Sequence, residues 1–183
     1  GCTHRQAPGV WERIRAASAQ PVDPDDVVLP PYFPDHPACR RDWATYLDQI
    51  EYMDAQVGEI LTRLENEGIA SNTAVIFIGD NGRCHLRGKC WLYDPGILVP
   101  MIIRWPGQIP PGTVCGDLVS SIDITATILL MAGIAPPTHM HGRPFLGPAA
   151  VKRSHIFSAR DRIDEAVDRI RCVRTKRYKY ICN

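Results

Sequence analysis

Asp80, Asn81 and Gly82 follow directly on an apolar run at residues 73–79 that is rich in β-branched side chains. Such a run reads as a central parallel strand buried on both faces, and in α/β folds ligands bind just beyond the carboxyl ends of parallel strands. Asp80 offers a carboxylate and Asn81 an amide oxygen, hard donors suited to calcium or magnesium. Gly82 permits a sharp turn, and Asn-Gly is also a common turn pair with no ligand at all. Arg83, His85, Arg87 and Lys89 then place four potential cations within seven residues. Cations beside a metal are what a tetrahedral oxyanion requires, because its charge must be met from several sides. On charge count alone, a solvated basic loop is the plainer alternative.

The elements that must hold these residues can be read on either side. Residues 1–42 are rich in proline, which interrupts helices, and form an irregular segment with a short helix at 10–19. From Trp43, apolar residues recur at Leu47, Ile50, Met53, Val57, Ile60, Leu61 and Leu64, the spacing of one helix face. The expected helix is 43–67, capped by Asp42 and stopped at Gly68. Residues 98–104 predict a second strand and 123–131 a helix ended by Gly133. Residues 155–159, 169–175 and 177–181 are strand candidates, the last two as a hairpin.

The chain has 183 residues, net charge +1, 45% hydrophobic and 22% charged residues. That balance excludes wholesale disorder and gives no support to a nucleic-acid-binding protein. Residues 152–179 carry ten basic and four acidic side chains, a local excess that either faces an anionic partner or is solvated strand surface. The longest mostly apolar run, 122–135, is too short for a membrane span. The first twenty residues lack an apolar core, so any signal peptide is expected outside this chain. Seven cysteines include no C-x-x-C pair and are expected as scattered thiols.

Several separated motifs resemble the sulfatase family of the alkaline-phosphatase superfamily. Asp80, Asn81 and Gly82 match its D-N-G turn, and Lys89, Leu92, Tyr93, Asp94, Gly96, Val99 and Pro100 match K-x-x-L-Y-[E/D]-x-G-x-x-V-P. The segments around Tyr46 to Gly58, Asp123 to Thr127, and His141 to Arg143 resemble further parts of that family in the same order. Residues 25–41, with Tyr32 and Asp35, resemble the subgroup that includes heparan N-sulfatase. The resemblance implies an α/β fold: part of a largely parallel mixed sheet flanked by helices, alkaline-phosphatase-like, with the start of an antiparallel C-terminal region. Residues 43–150 would be the C-terminal part of the catalytic domain and 151–183 the start of the C-terminal β region.

The resemblance also implies a chemistry. Hydrolysis of sulfate esters or N-sulfate groups, on a sulfated carbohydrate, would use calcium (or magnesium) and a formylglycine made from cysteine. The hydrated aldehyde attacks sulfur, and sulfate leaves as the hemiacetal collapses. Asp80 and Asn81 would be metal ligands and Lys89 a catalytic contact to the sulfate or the bridging oxygen. His85 and Arg87 are candidate substrate-binding residues, and His4 a candidate end of a substrate loop. His36, His139, His141 and His155 are expected as packing or surface residues. None of the seven cysteines fits the nucleophile motif C-x-[P/A]-x-R, and the family's first Asp pair is absent. The chain is therefore expected to be a fragment without sulfatase turnover of its own. A periplasmic, secreted or lysosomal location is what the resemblance implies. Two alternatives remain at this point: a phosphodiesterase or phosphonate hydrolase of the same superfamily, or a domain that binds anionic glycans without cleaving them.

Overall fold

The computed structural model describes residues 4–5 and 9–183, which leaves Cys2 outside the described residues. Helix α1 (Val10–Ala17) buries Trp11 against the long helix α2 (Pro37–Asn66), which contributes Ala44, Thr45, Asp48 and Gln49 to the same seam. Asp48 is 2% exposed and fully bonded: it accepts from the Arg15 guanidinium and, at 2.8 Å, from the Val22 N–H. Burying a carboxylate this deeply is tolerable only with such partners.

Helix α2 starts six residues earlier than periodicity suggests. Pro37 occupies its first turn, and the His36 ring accepts from the Ala38 N–H at 3.2 Å. Proline in the first turn costs no helical hydrogen bond, which is why it opens rather than breaks the helix. Asp42 consequently lies inside the helix and pairs with Arg5 at 2.8 Å instead of capping. The stop at Gly68 is as expected, with φ +70° and the Ile69 N–H donating to Leu64.

After a single 3-10 turn at Ala70–Asn72, strand β1 (Val75–Ile78) leads into a long loop containing the short helix α3 (Asp94–Ile97). Strand β2 (Met101–Arg104) returns antiparallel, with Val75 opposite Arg104 and Ile78 opposite Met101. The parallel neighbour expected for β1 is not found among the described residues, and β1 is half-buried rather than covered on both faces. A parallel return needs a crossover, whereas residues 79–100 fold back on themselves through a four-residue helix. Ile78, Leu98 and Ile102 remain 42%, 72% and 65% exposed.

Helix α4 (Ile122–Met131) is anchored by Asp123, 1% exposed, which accepts from Arg153 Nε at 2.7 Å and from the Ser120 and Arg143 N–H groups. Strands β3 (Ile156–Ile163), β4 (Ala166–Arg174) and β5 (Lys179–Cys182) form one antiparallel sheet in sequential order. The β4–β5 hairpin is as expected. The β3–β4 hairpin is an addition that the charged stretch 160–168 had concealed, turning at Asp164 with φ +46°. Leu92, Ile170 and Cys172 form a small core between this sheet and the long loop. Cys39, Cys90, Cys115, Cys172 and Cys182 stand outside any disulfide. No helix among the described residues is long and apolar enough to cross a membrane.

Candidate functional site

The loop between β1 and β2 is closed by its own backbone. Gly82 N–H donates to Gly96 O at 2.9 Å, Lys89 N–H to Arg83 O at 2.7 Å and Trp91 N–H to Gly88 O at 3.0 Å. A Cβ at Gly82 would stand 1.9 Å from the Pro95 carbonyl oxygen, and one at Gly96 would stand 2.1 Å from that of Trp91. Only glycine permits so close an approach of backbone to backbone.

Arg87 and Cys90 adopt left-handed backbone with φ +57° and +72°, bracketing Lys89. Non-glycine residues there carry about 1–3 kcal/mol of strain that the surroundings must hold. The C-terminal sheet does so. Arg160 donates to the Cys90 carbonyl at 2.5 Å, is fixed by Asp168, and lies over the Trp91 ring at 4.5 Å. Lys179 donates to the Leu92 carbonyl at 2.8 Å and to Asp94 at 2.6 Å, and Arg174 adds two 3.1 Å contacts to Asp94. Partial burial by itself would raise the Asp94 carboxyl, yet Lys179 and Arg174 together hold it below the usual carboxylate value. Much of the basic excess of residues 152–179 thus serves as struts. Lys152 and Lys176 pair with Asp117, Arg153 with Asp123, and Arg171 with Asp161.

At the mouth of this loop Asp80 is exposed, and its Oδ1 accepts from the Asn81 N–H at 2.9 Å. Its carboxylate has no cationic partner among the described residues. Asp80 and Asn81 fit calcium or magnesium in donor chemistry, but calcium takes six to eight oxygen ligands. No group of three or more His, Cys, Asp or Glu that could hold a metal is present among the described residues. These two residues by themselves would supply only part of the donor set that calcium takes.

Lys89 Nζ lies 3.1 Å from His4 Nε2. Among the described residues neither Lys89 nor Arg83 nor Arg87 has a carboxylate at ion-pair distance. Arg83 donates to the Tyr32 hydroxyl and lies 5.1 Å over the Trp43 ring. Arg87 is exposed, 5.2 Å from the Tyr32 ring centroid and 5.5 Å from that of Tyr93. His85 has a different setting. Its side chain is 4% exposed, with the rings of Trp11, Phe33, Trp43 and Tyr46 around it at 4.8 to 6.2 Å. Its Nε2 stands 3.1 Å from Asp42 Oδ2, off hydrogen-bond geometry, and neither ring nitrogen has a hydrogen-bond partner. Burial holds the imidazole below its ordinary pKa, against the opposing pull of Asp42.

The structure thus brings His4, Asp80, Asn81, Arg87 and Lys89 to one loop and its rim, while His85 forms part of an aromatic interior wall. Sequence reading missed Asp94, Arg160 and Lys179 as the residues that hold the loop. Asp94 stands in the sequence only as one position of the sulfatase-like motif, and nothing in the basic stretch 152–179 sets Arg160 and Lys179 apart from solvated strand residues. A larger cleft of about 960 Å³, between α1 and α2, lies away from Asp80 and Lys89.

The Sulfatase family model matches residues 5–134. An ulvan-active sulfatase from Formosa agariphila is 42% identical over 156 residues, covering 85% of this chain and 26% of the relative. Human N-sulphoglucosamine sulphohydrolase is 36% identical over 128 residues, covering 69% and 26%. Among solved structures, a Bacteroides fragilis protein named as a sulfatase superposes with a TM-score of 0.67 at 26% identity, covering 78% of this chain and 33% of that one. A complex with the substrate D-glucosamine-2-N,6-O-disulfate superposes with a TM-score of 0.63 at 21% identity, covering 82% and 34%. This second likeness concerns the fold alone, which is the mixed α/β architecture expected from the sequence. The chain spans about a quarter of the length of the two curated relatives. With the family model matching well over half of its residues, the chain belongs to the sulfatase family.

Proposed function

We propose that this chain forms part of the catalytic domain of a sulfatase acting on sulfated carbohydrates, at sulfate esters or N-sulfate groups. The observation that carries the reading is that one backbone-closed loop carries both the Asp80–Asn81 donor pair and Lys89, a cation without a carboxylate partner among the described residues. A sulfate group needs that combination of hard-cation ligands on one side and fixed positive charge on the other. The names of the two curated relatives, one ulvan-active and one an N-sulphoglucosamine sulphohydrolase, support a carbohydrate as the carrier.

In this reading Asp80 and Asn81 contribute two ligands to calcium, and the remaining ligands and a formylglycine nucleophile come from polypeptide outside residues 1–183. When bound, the cation supplies Lewis-acid polarisation of a sulfate oxygen and the formylglycine supplies the attacking oxygen. Lys89 binds the sulfate or bridging oxygen and offsets charge that grows as the sulfur–oxygen or sulfur–nitrogen bond breaks. Its ammonium is aimed by the closed loop, and His4 holds it by accepting a hydrogen bond at Nε2.

The test is sulfate release from sulfated mono- and oligosaccharides by the full-length polypeptide that carries this chain. Lys89→Met is expected to lower kcat about 10²- to 10³-fold, the usual cost of one charge-stabilising donor. Asp80→Asn is expected to weaken calcium binding measured by calorimetry. Undiminished turnover in Lys89→Met would remove the residue from the mechanism. Release of phosphate in place of sulfate would favour the phosphodiesterase reading.

A further inference from the structure

A cavity of about 780 Å³ lies between the proline-rich segment and the 83–93 loop, with Tyr32 and Phe33 on one side and Arg87, Trp91 and Tyr93 on the other. Two of its features take no part in the metal and sulfate contacts proposed above. Trp91 and Tyr93 stack at 6.1 Å with 23° between their planes, and yet remain 40% and 43% exposed. Arg160 behind Trp91 and the Arg174–Lys179 pair on Asp94 fix the backbone that carries them. Stacked aromatics held open to solvent on a rigid loop are a ready platform for a flat, partly apolar face.

Arg87 is the second feature. It holds a left-handed backbone at φ +57°, and its guanidinium sits against both the Tyr32 and the Tyr93 rings. On the same cavity wall Arg5 is neutralised by Asp42, whereas Arg87 has no carboxylate at ion-pair distance among the described residues. Ring contacts orient a guanidinium without consuming its fork of N–H donors, which match a carboxylate or sulfate in bidentate fashion. Arg87 and Trp91 are each two residues from Lys89, so the same closed loop carries the cavity wall and the proposed sulfate-binding lysine.

We propose that this cavity is a second sugar subsite, which takes a neighbouring ring bearing its own acid group, a carboxylate or sulfate. Arg87 binds the acid group, and Trp91 with Tyr93 carries the ring face. This deepens the sulfated-carbohydrate reading and rests on it. The preferred substrate is then a polyanionic glycan, and a sulfated monosaccharide fills only half of the site.

The full-length protein would be assayed on two sulfated disaccharides, one with a carboxylate on the second ring and one with that carboxylate reduced to the alcohol. Wild type is expected to show a KM about tenfold lower for the acidic disaccharide, the worth of one charged hydrogen-bonded pair. Arg87→Gln is expected to bring that ratio near one, Arg87→Lys to restore part of it, and Trp91→Ala to raise KM for both disaccharides. Equal KM values in wild type, or a ratio unchanged in Arg87→Gln, would overturn the subsite. If wild type releases no sulfate from either compound, the parent reading fails separately. Calorimetric binding of the acidic disaccharide then decides the subsite: binding that Arg87→Gln abolishes supports it, and no binding overturns it.

Discussion

Arg160, on β3, donates to the carbonyl of Cys90, seventy residues away and next to Lys89, at 2.5 Å. The guanidinium is also paired with Asp168, and the residue is 8% exposed. One side chain therefore holds a left-handed residue beside the proposed sulfate-binding lysine, and it does so from a different sheet. Arg160→Met leaves the Cys90 carbonyl without its donor and Asp168 without its partner. The expected cost is about 2–3 kcal/mol in denaturant unfolding. Amide hydrogen exchange at Lys89 and Trp91 should accelerate well beyond that in α2. Uniform acceleration across the chain would assign Arg160 a general role and not one in the loop.

Two glycine substitutions should act in opposite directions. Gly82→Ala drives a methyl group into the Pro95 carbonyl, with rigid backbone on both sides. It should destabilise by about 1–3 kcal/mol, as overpacking generally does. Gly58→Ala lies within α2 and meets nothing within 4 Å. It should stabilise by about 0.5–1 kcal/mol through helix propensity. Thermal melts of the two variants check both signs.

His85 gives the fold a dependence on mildly acidic pH. Burial foremost, opposed by Asp42, holds its folded pKa below the ordinary 6.5. As pH falls, the unfolded chain takes up this proton first. The stabilisation is complete above about pH 6.5 and is lost as pH falls from there toward the folded value. His85→Phe, which keeps a ring among Trp11, Phe33, Trp43 and Tyr46, should flatten the slope of unfolding free energy against pH in that window. Superimposable slopes for the two proteins would contradict this assignment.

Asp123 sets an acid limit of a different kind. Burial would raise its carboxyl, but Arg153 with the Arg143 and Ser120 N–H groups outweighs it and holds the pKa below 3.8. With the folded value depressed, the contribution is present above about pH 4 and is lost as pH drops through and below that range. Asp123→Asn should cost about 3 kcal/mol near neutrality by leaving Arg153 unpaired. The stability curves of variant and wild type should converge in acid, where the wild-type carboxyl is also neutral.

How far the sequence reaches depends on the range of the interactions concerned. The presence of the strand, the Asp80-Asn81-Gly82 turn and the Gly68 and Gly133 stops are set by neighbours a few residues apart, so pattern and propensity suffice to read them. The antiparallel partner and half-buried faces of β1 depend instead on distant chain and were misread. The motif around Lys89 to Pro100 was legible through its resemblance to the sulfatase family. The structure shows why Gly82 and Gly96 are needed there: a Cβ at either would run into backbone. The start of α2 was misread, because Pro37 and His36 open the helix outside the apolar repeat that marks it. Charge was least legible. Arg87 and Arg160 are the same residue type in equally basic stretches, yet one faces an open cavity and the other is locked between Asp168 and a backbone carbonyl. His85 likewise counted as a loop cation until four aromatic rings, three of them from α1 and α2, were found around it. Sequence alone determined which groups this protein brings to its candidate site. The tertiary structure alone decided which of them are open to a ligand, because much of the burial and bonding comes from residues far away in sequence, as Trp11 packs on His85 and Arg160 bonds the Cys90 carbonyl.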